Sequence, residues 1–144
     1  VCLRYFNVYG PGQMGDSPYS TVIAAWCDAI KTGKALRFDG DGSQSRDFTF
    51  IDDVIEANVM AATTPSQFTG DAFNVAFGKS HDLAEVLQHF RDRFGDISIL
   101  ESPSRPGDIP KTLADITKTY TAFDYRAKTS LAEGLQKTWE WWEV

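Results

Sequence analysis

Long apolar runs and cysteine motifs are missing from this sequence. No apolar stretch reaches membrane-spanning length, and no charged segment followed by an apolar one opens the chain. These absences predict neither a membrane span nor a secretory leader. Cys2 and Cys27 lie in apolar segments and lack the spacing of metal ligands. We interpret them as buried free thiols in a reducing compartment, so we expect a cytoplasmic protein.

The chain also has fewer basic than acidic residues. The chain has 14 Lys and Arg against 20 Asp and Glu, a formal net charge of -6. A nucleic-acid-binding protein normally carries a basic face, so this balance argues against that class. A small anionic ligand remains compatible, because two or three local cations are enough to bind it. With 144 residues and 42% hydrophobic content, the chain is expected to form one globular unit, residues 1–144.

Common catalytic patterns are absent as well. None of the five tyrosines is followed by lysine four positions later. His81 and His89 have no partner at metal-ligand or triad spacing, and we interpret both as surface or capping residues. We therefore expect no catalytic or metal site in this chain. Val1 is followed at once by a strand-like run, so we also expect a piece of a longer protein.

Short strands alternate with helices at least four times, which predicts an α/β protein. The predicted strands are 2–6, 36–38, 48–51, 72–76 and 97–100. Helices are predicted up to Gly33 and over 52–62, 82–94, 115–120 and 130–142. Ser17 with Pro18 is expected to begin the first helix and Ser80 to cap the third. Ser130 and Glu133 form a capping box for the last.

Two turns carry arginines suited to binding an anion. Arg46 follows the glycine-rich turn Gly40–Gly42, and its planar guanidinium can bind a carboxylate or phosphate or pair with a neighbouring aspartate. In the second turn, Pro106-Gly107 places Arg105 and Asp108 on the same side. These two residues can pair with each other, or grip a phosphate and a sugar hydroxyl. Two arginines on separate turns suit a diphosphate, whose charge is spread over several oxygens.

The segment Gly10–Gly15 matches the dinucleotide pattern G-x-G-x-x-G and follows a predicted strand. Its third glycine should pack inside the helix that the motif opens, but the expected helix start lies after the motif. Asn7 and Tyr9 also interrupt the strand where a buried parallel strand should stay apolar. We interpret the segment as a surface loop, with a dinucleotide site as the alternative.

Four ordered motifs resemble the extended short-chain dehydrogenase/reductase family of NAD-dependent epimerases and dehydratases. They are Leu3–Pro11 (LRYFNVYGP), Ser45–Phe48 with Ile51–Val54, Arg105–Asp108, and the closing Thr138-Trp139. The similarity is greatest to the 4-epimerases of UDP-glucose and UDP-N-acetylglucosamine and covers essentially the whole chain. It implies an α/β fold that forms the carboxy-terminal, substrate-binding part of an extended Rossmann-type enzyme.

The resemblance also implies roles for individual residues. Arg46 and Arg105 clamp the diphosphate of a UDP-sugar, Asn7 contacts it, and Asp108 binds the ribose. Tyr19 to Val22 and Arg37-Phe38 lie where the family encloses the uracil, with Phe38 as the base contact. Tyr5 and Phe6 lie near the nicotinamide end of NAD. The expected substrate-binding residues are therefore Asn7, Tyr19, Val22, Phe38, Arg46, Arg105 and Asp108. The family commonly has arginine in place of Gly12, so one contact of that loop is expected to be lost.

Only the second half of such an enzyme is covered, because the amino-terminal glycine motif and the catalytic Tyr-x-x-x-Lys pair are absent. In the intact enzyme, the resemblance implies oxidation of the sugar at C4 by hydride transfer to NAD and return of the hydride to the other face. Segments near 1–10 and 48–78 would complete the dinucleotide domain of that enzyme. We expect this chain alone neither to catalyse that reaction nor to bind NAD.

The missing amino-terminal dinucleotide domain is an expected partner, and its absence would leave apolar surface uncovered. We therefore expect self-association and a homo-oligomer, with no nucleic-acid or membrane partner. Two alternatives to the 4-epimerase remain open. One is a nucleotide-sugar dehydratase or decarboxylase of the same family, and the other is a non-catalytic module that binds a nucleotide sugar.

Overall fold

The computed structural model describes residues 1–17 and 19–144 as five helices and eight short strands. The helices are α1 (Val22–Lys31), α2 (Ile51–Thr63), α3 (Leu83–Phe94), α4 (Thr117–Phe123) and α5 (Leu131–Trp142). The strands are β1 (Cys2–Tyr5), β2 (Val8–Tyr9), β3 (Leu36–Asp39), β4 (Ser45–Arg46), β5 (Thr49–Phe50), β6 (Ala72–Val75), β7 (His81–Asp82) and β8 (Ile99–Ser102). This alternation confirms the predicted α/β class.

The strands pair two by two, and the pairing positions the candidate site. β1 pairs with β6, β2 with β5 and β3 with β8 in parallel, whereas β4 and β7 are antiparallel. Each parallel pair is joined by a crossover that contains at least one helix, as parallel pairing requires. Asp39 at the end of β3 lies opposite Ser102 at the end of β8. The loops after these two strands therefore meet at one edge.

Two apolar clusters hold the fold together. The larger one packs α1, α3 and α5 through edge-to-face aromatic contacts, with Phe90 5.3 Å from Trp26 and 5.4 Å from Trp139 between ring centroids. Such pairs contribute about 0.5–1.5 kcal/mol each beyond the area they bury. The smaller cluster lies around β6 and α4, where the rings of Phe73 and Phe123 are 4.7 Å apart. The larger cluster supports the helix face that lines the candidate site.

Helix termini follow the predictions in part. Ser130 and Glu133 form the predicted capping box, and Gly95 ends α3 at φ 76°. The cap of α3 is Asp82 rather than Ser80, because the Asp82 carboxylate reaches the Glu85 N–H at 2.7 Å while Ser80 donates to the Thr112 carbonyl. Helix α1 begins at Val22 with Thr21 as its cap, so the start predicted at Ser17 is wrong. The other half of that prediction, Pro18, lies outside the described residues.

Burial differs from the predictions at two titratable side chains. Cys27 is buried as predicted, and burial raises the pKa of its thiol to about 12, but Cys2 is exposed. Cys2 lies on β1, where only Leu3 is partly buried and the other side chains are open to solvent. His81 is 6% exposed rather than a surface residue, because β7 places its ring between Glu85 and the interior.

One face of β1 and α2 exposes apolar side chains. Tyr5, Ile55 and Val59 are each about half exposed, at 49%, 54% and 56%. A shallow depression on this face is bordered by Leu3, Tyr5, Asn58 and Ala61.

In the described part of the chain, no helix is both long and apolar enough to cross a membrane.

Gly134 of α5 provides a test of the larger cluster. A methyl group added there would overlap the Tyr9 hydroxyl and lie 2.8 Å from Tyr9 Cζ and 2.9 Å from Phe50 Cδ2. We expect Gly134→Ala to lower the free energy of unfolding by about 1–3 kcal/mol, as overpacking of a core does. Urea denaturation followed by circular dichroism measures the change.

The double variant with Tyr9→Phe is the matched control. It removes the overlapping oxygen, so we expect Gly134→Ala to cost less in that background than in the wild type. Equal costs in the two backgrounds would contradict the proposed contact.

Candidate functional site

A cavity of about 390 Å³ opens beside the ends of β3 and β4, between α1 and the loop after β8. Its volume falls within the range of small-molecule sites, about 300–1,000 Å³. Successive turns of α1 present Val22, Ala25, Trp26 and Ala29 to it, because residues three and four apart share a helix face. The strand ends and loops contribute polar residues, which are Asn7, Asp39, Gln44, Arg46, Arg105 and Asp108.

Arg46 lies on β4 and forms an ion pair with Asp108 at this cavity. Its Nη2 lies 2.5 Å from Asp108 Oδ1, and its Nη1 donates to the Ser45 carbonyl at 2.8 Å. The predicted alternative, pairing with a neighbouring aspartate, is therefore wrong: the partner is 62 residues away. The side chains of Arg46 and Asp108 are 20% and 35% exposed, so the ion pair is partly solvated.

Asp39 lies between two arginines at the end of β3. Its Oδ1 accepts from Arg37 Nε at 2.7 Å, and its Oδ2 accepts from Arg105 Nε at 2.6 Å. Burial alone would raise the pKa of this carboxyl, but the hydrogen bonds and charges of Arg37 and Arg105 outweigh it and lower the pKa below its ordinary value. Asp39 is therefore ionised at neutral pH and holds both guanidinium groups in place.

The loop after β8 is fixed by two ion pairs that reach different strands. Its turn is closed by the Asp108 N–H, which donates to the Arg105 carbonyl at 3.1 Å, and Gly107 takes φ 79°. One interpretation of the sequence was that Arg105 and Asp108 pair with each other. In the structure each of them pairs with a different residue instead. Arg105 binds Asp39 on β3, and Asp108 binds Arg46 on β4. The loop is thus attached to the cavity through groups that an anion could also engage.

Asp47, next to Arg46, is a structural carboxylate. It is fully buried and accepts hydrogen bonds from the Gly78 N–H at 3.1 Å and the Ala114 N–H at 3.1 Å. Burial raises the pKa of the Asp47 carboxyl, although these backbone donors oppose the shift. One side chain thereby ties β4 to two distant loops.

Asn7 adopts the left-handed backbone conformation, with φ 37°, at the end of β1. This conformation is uncommon for residues other than glycine, and asparagine tolerates it better than most. Its Nδ2 donates to the Asp47 carbonyl at 3.2 Å and to Thr112 Oγ1 at 3.1 Å. Both amide hydrogens are engaged while the side chain lines the cavity.

The cavity brings together part of the predicted site. Asn7, Val22, Arg46, Arg105 and Asp108 all line it. Four other predicted residues, Phe38, Tyr19, Phe6 and Tyr5, do not line it. Phe38 is half-buried in the larger cluster, where its ring stacks on Trp26 at 6.3 Å between centroids. Tyr19 is 93% exposed, and Phe6 is half-buried at the end of β1.

Tyr5 lies on the exposed apolar face of β1 instead, and its hydroxyl donates to Asn58 Oδ1 at 2.9 Å. The positions of Tyr5 and Phe6 leave their predicted role near a nicotinamide untested.

Asp39 and His81 line the cavity, but neither was among the expected site residues. A signal for Asp39 was available, because the carboxyl ends of parallel strands lie at the edge of the sheet where ligands commonly bind. His81 is brought in by β7, which pairs with Arg46 of β4. Among the described residues, no group of three or more His, Cys, Asp or Glu side chains could hold a metal ion.

The Gly10–Gly15 loop does not open a helix, since α1 begins only at Val22. Gly10 takes φ 139° and packs closely on Ile51, where an added methyl group would lie 2.6 Å from Cγ2. Gly15 lies against Ala24 and Asp28 on the side of α1. These glycines allow close packing of a loop on two helices, which agrees with the surface-loop interpretation.

Comparison with known proteins agrees with the motifs. Residues 1–76 match the model of the "NAD dependent epimerase/dehydratase family". The UDP-glucose 4-epimerase of Mycolicibacterium smegmatis is 33% identical over 137 residues, which are 93% of this chain and 42% of that protein. The UDP-N-acetyl-alpha-D-glucosaminuronate decarboxylase of Bacillus cytotoxicus is 30% identical over 146 residues, 96% of this chain and 44% of that protein.

A solved structure shares the fold. The UDP-glucuronic acid 4-epimerase from Bacillus cereus, in complex with UDP-glucuronic acid and NAD, superimposes with a TM-score of 0.89 at 31% identity. The match covers 99% of this chain and 45% of that one. The chain thus spans less than half the length of these relatives. The resemblance and the Rossmann-type architecture inferred from the motifs are confirmed.

Asp47→Asn tests the structural role of the buried carboxylate. The Gly78 N–H is shared by both Asp47 oxygens, at 3.1 and 3.2 Å, and the Ala114 N–H binds Oδ2. An amide has one acceptor oxygen, so in either orientation its Nδ2 faces the Gly78 N–H, donor against donor. We expect a loss of about 1–3 kcal/mol in the free energy of unfolding, the cost of leaving buried donors unsatisfied. Thermal and urea unfolding both measure it.

Asp82→Asn is the matched control. Asp82 is exposed and accepts one backbone N–H as a helix cap, a role that asparagine fills equally well. If Asp47→Asn were as well tolerated as Asp82→Asn, the assigned role of Asp47 would be wrong.

Proposed function

Because the chain belongs to the NAD-dependent epimerase/dehydratase family, we propose that it forms the nucleotide-sugar-binding part of an enzyme that acts on a UDP-sugar. One observation carries the proposal. Three separate segments bring Arg46, Arg105, Asp108 and Asn7 to a single cavity of about 390 Å³. These are the groups that the family resemblance assigns to a diphosphate and a ribose.

The charges of the cavity suit a ligand with a diphosphate. Arg46 and Arg105 approach from different strands, and each is held by a carboxylate that a phosphate can replace. Each guanidinium already makes a charge-assisted hydrogen bond to a carboxylate, and a phosphate oxygen accepts a hydrogen bond of the same kind. Exchange of a carboxylate for a phosphate oxygen therefore replaces one such bond with another, and a single diphosphate can accept from both arginines. Asp108, once released from Arg46, can accept a hydrogen bond from a ribose hydroxyl.

For the intact enzyme we propose a UDP-hexose 4-epimerase. Hydride transfer at C4 of the sugar is the chemistry that NAD supplies in that reaction. This chain's contribution is to bind the nucleotide and to orient the sugar, because it contains no Tyr-x-x-x-Lys pair that would supply a base. The second candidate is a decarboxylase or dehydratase of the same family, favoured by the similar identity to the Bacillus cytotoxicus decarboxylase. A non-catalytic nucleotide-sugar-binding module is the third.

The loop that matches the dinucleotide pattern, Gly10–Gly15, does not open a helix, as such a motif does. We propose that NAD binding needs residues beyond this chain. Segments near 1–10 and 48–78 would then complete a dinucleotide domain, and Tyr5, Ile55 and Val59 would be covered by it or by a second subunit.

Calorimetric titration of the chain with UDP and with UDP-N-acetylglucosamine tests the proposal. We expect both ligands to bind, and Arg46→Gln and Arg105→Gln each to weaken UDP binding by about 2 kcal/mol, roughly thirtyfold, because each removes one charge-assisted contact. Arg91→Gln is the control, since Arg91 is exposed on α3 and does not line the cavity.

Circular dichroism must show that each variant is folded. A folded wild-type chain that binds neither ligand would refute the proposed function for this chain. Equal losses in Arg91→Gln and in the two cavity variants would show that the effect is one of net charge, not of the site.

A further inference from the structure

His81 lies on β7 at the wall of the cavity, and neither of the two ion pairs there involves it. In the antiparallel pair of β4 and β7 it is directly opposite Arg46. The side chains of directly opposite residues lie on the same face of the pair, with Cβ atoms about 4.5–5.5 Å apart. Both side chains line the cavity. A ligand that binds Arg46 therefore comes close to the ring of His81.

Glu85 determines which nitrogen of this ring carries a hydrogen. His81 Nδ1 lies 2.9 Å from Glu85 Oε1, in the first turn of α3. An ionised carboxylate only accepts hydrogen bonds, so Nδ1 is the donor in this contact. Nε2 then carries a lone pair in the neutral ring and an N–H in the protonated ring. One proton therefore converts Nε2 from an acceptor into a donor.

His81 Nε2 is open to the cavity. Among the described residues it has no hydrogen-bond partner. In the same part of the chain, the buried side-chain polar atoms that lack a partner are Thr49 Oγ1 and the indole nitrogens of Trp139 and Trp142, and Nε2 is not one of them. Because the ring as a whole is buried, Nε2 is reached through the cavity that the ring lines. The ring is thus held at Nδ1 and leaves Nε2 free for a ligand.

Charged groups face His81 or share its cavity on each element packed around β7. They are Arg46 and Asp47 on β4, Asp82 on β7 itself, Glu85 on α3, Arg37 and Asp39 on β3, and Arg105 and Asp108 in the loop after β8.

These charges act on the ring in opposite directions. Arg46 disfavours a proton on His81, whereas Glu85 and Asp47 favour it. Burial raises the pKa of the Asp47 carboxyl, and backbone N–H groups and the charge of His81 act against that shift. A diphosphate brings further negative charge to the cavity, and the carboxylates that it replaces on the arginines stay nearby. Binding therefore favours protonation of the ring.

We propose that His81 is a third anion-binding residue of the cavity, which donates its Nε2–H to a phosphate oxygen only when the ring is protonated, so that ligand binding takes up a proton. This rests on the proposed function. In the neutral ring, the lone pair of Nε2 would face the phosphate oxygen, acceptor against acceptor, which weakens binding.

The proposal fixes the direction of the pH dependence. Histidine changes its charge between about pH 5 and pH 8, so the cavity binds a diphosphate more tightly on the acid side of this range. Arg46 and Arg105 keep their charge throughout. They provide the binding that remains on the alkaline side.

UDP-N-acetylglucosamine is the probe for this dependence. Its diphosphate is esterified at both ends and keeps its charge over this range, whereas the terminal phosphate of UDP gains a proton at about pH 6. Calorimetric titration of the full chain in two buffers of different ionisation enthalpy measures the protons taken up on binding. We expect net proton uptake, and an affinity about tenfold higher at about pH 6 than at about pH 8, as one hydrogen bond to a charged group provides.

Three variants separate His81 from the other groups. His81→Gln should abolish both the proton uptake and the pH dependence, and it should bind as the wild type does at about pH 8. His89→Gln is the matched control, because His89 is the other histidine of the chain and does not line the cavity. It should change neither quantity. Glu85→Gln removes the charge beside Nδ1, so the rise in affinity should move to lower pH. Glu85 is exposed, so this variant provides the test if His81→Gln does not fold.

The possible outcomes distinguish this inference from the proposed function. Proton uptake that persists in a folded His81→Gln variant would assign the proton to another group and overturn the inference. Binding of UDP-N-acetylglucosamine without proton uptake, and with equal affinity at both pH values, would overturn it as well and leave the proposed function standing. A wild-type chain that does not bind this ligand at either pH would refute the proposed function and the inference with it.

Discussion

Two crossed ion pairs define the cavity and depend on the way the strands are paired. Arg46 of β4 holds Asp108, and Asp39 of β3 holds Arg105, so a single loop is attached to two strands. Each pair joins residues more than sixty positions apart. Both are partly exposed to solvent, which makes them individually weak. Their value lies in geometry, because they hold two guanidinium groups at one cavity.

The rigidity behind these weak pairs comes from buried hydrogen bonds. Asp47 binds the backbone of two distant loops, and its neighbour Arg46 is therefore presented at a fixed place. Asn7 adds hydrogen bonds to the same strand and to Thr112, at the cost of an uncommon backbone conformation. Such strain persists only where the surrounding contacts determine it. Rigid buried groups thus orient exchangeable exposed ones, which is the arrangement that a binding site needs.

The sequence predicted the elements better than the pairings. The α/β alternation, the capping box at Ser130 and the end of α3 at Gly95 can be inferred from local patterns, because caps and periodicity are local. The cavity residues Arg46, Arg105 and Asp108 were found through their motifs.

Contacts between residues that are distant in the sequence could not be predicted from local patterns. The position of Asp39 between two arginines is explained only once β3 and β8 are known to be parallel neighbours. Phe38 was expected to contact the nucleobase, but its side chain lies in the larger cluster. Successive side chains on a strand point to opposite faces, so a shift of one residue in register reverses the direction of the side chain. His81 was expected at the surface because no local sequence pattern predicts the pairing of β7 with β4.

The most direct test of the exchange between carboxylate and phosphate is NMR of the arginine side chains during titration with UDP. The Nη–H signals of Arg46 and the Nε–H signal of Arg105, which belong to the atoms that bind the two aspartates, can be assigned from spectra of Arg46→Gln and Arg105→Gln. Both signals should shift together and saturate with UDP, because each guanidinium exchanges its aspartate for a phosphate oxygen. UDP binding with both signals unchanged would contradict this exchange, since the ligand would then lie somewhere other than between the two ion pairs.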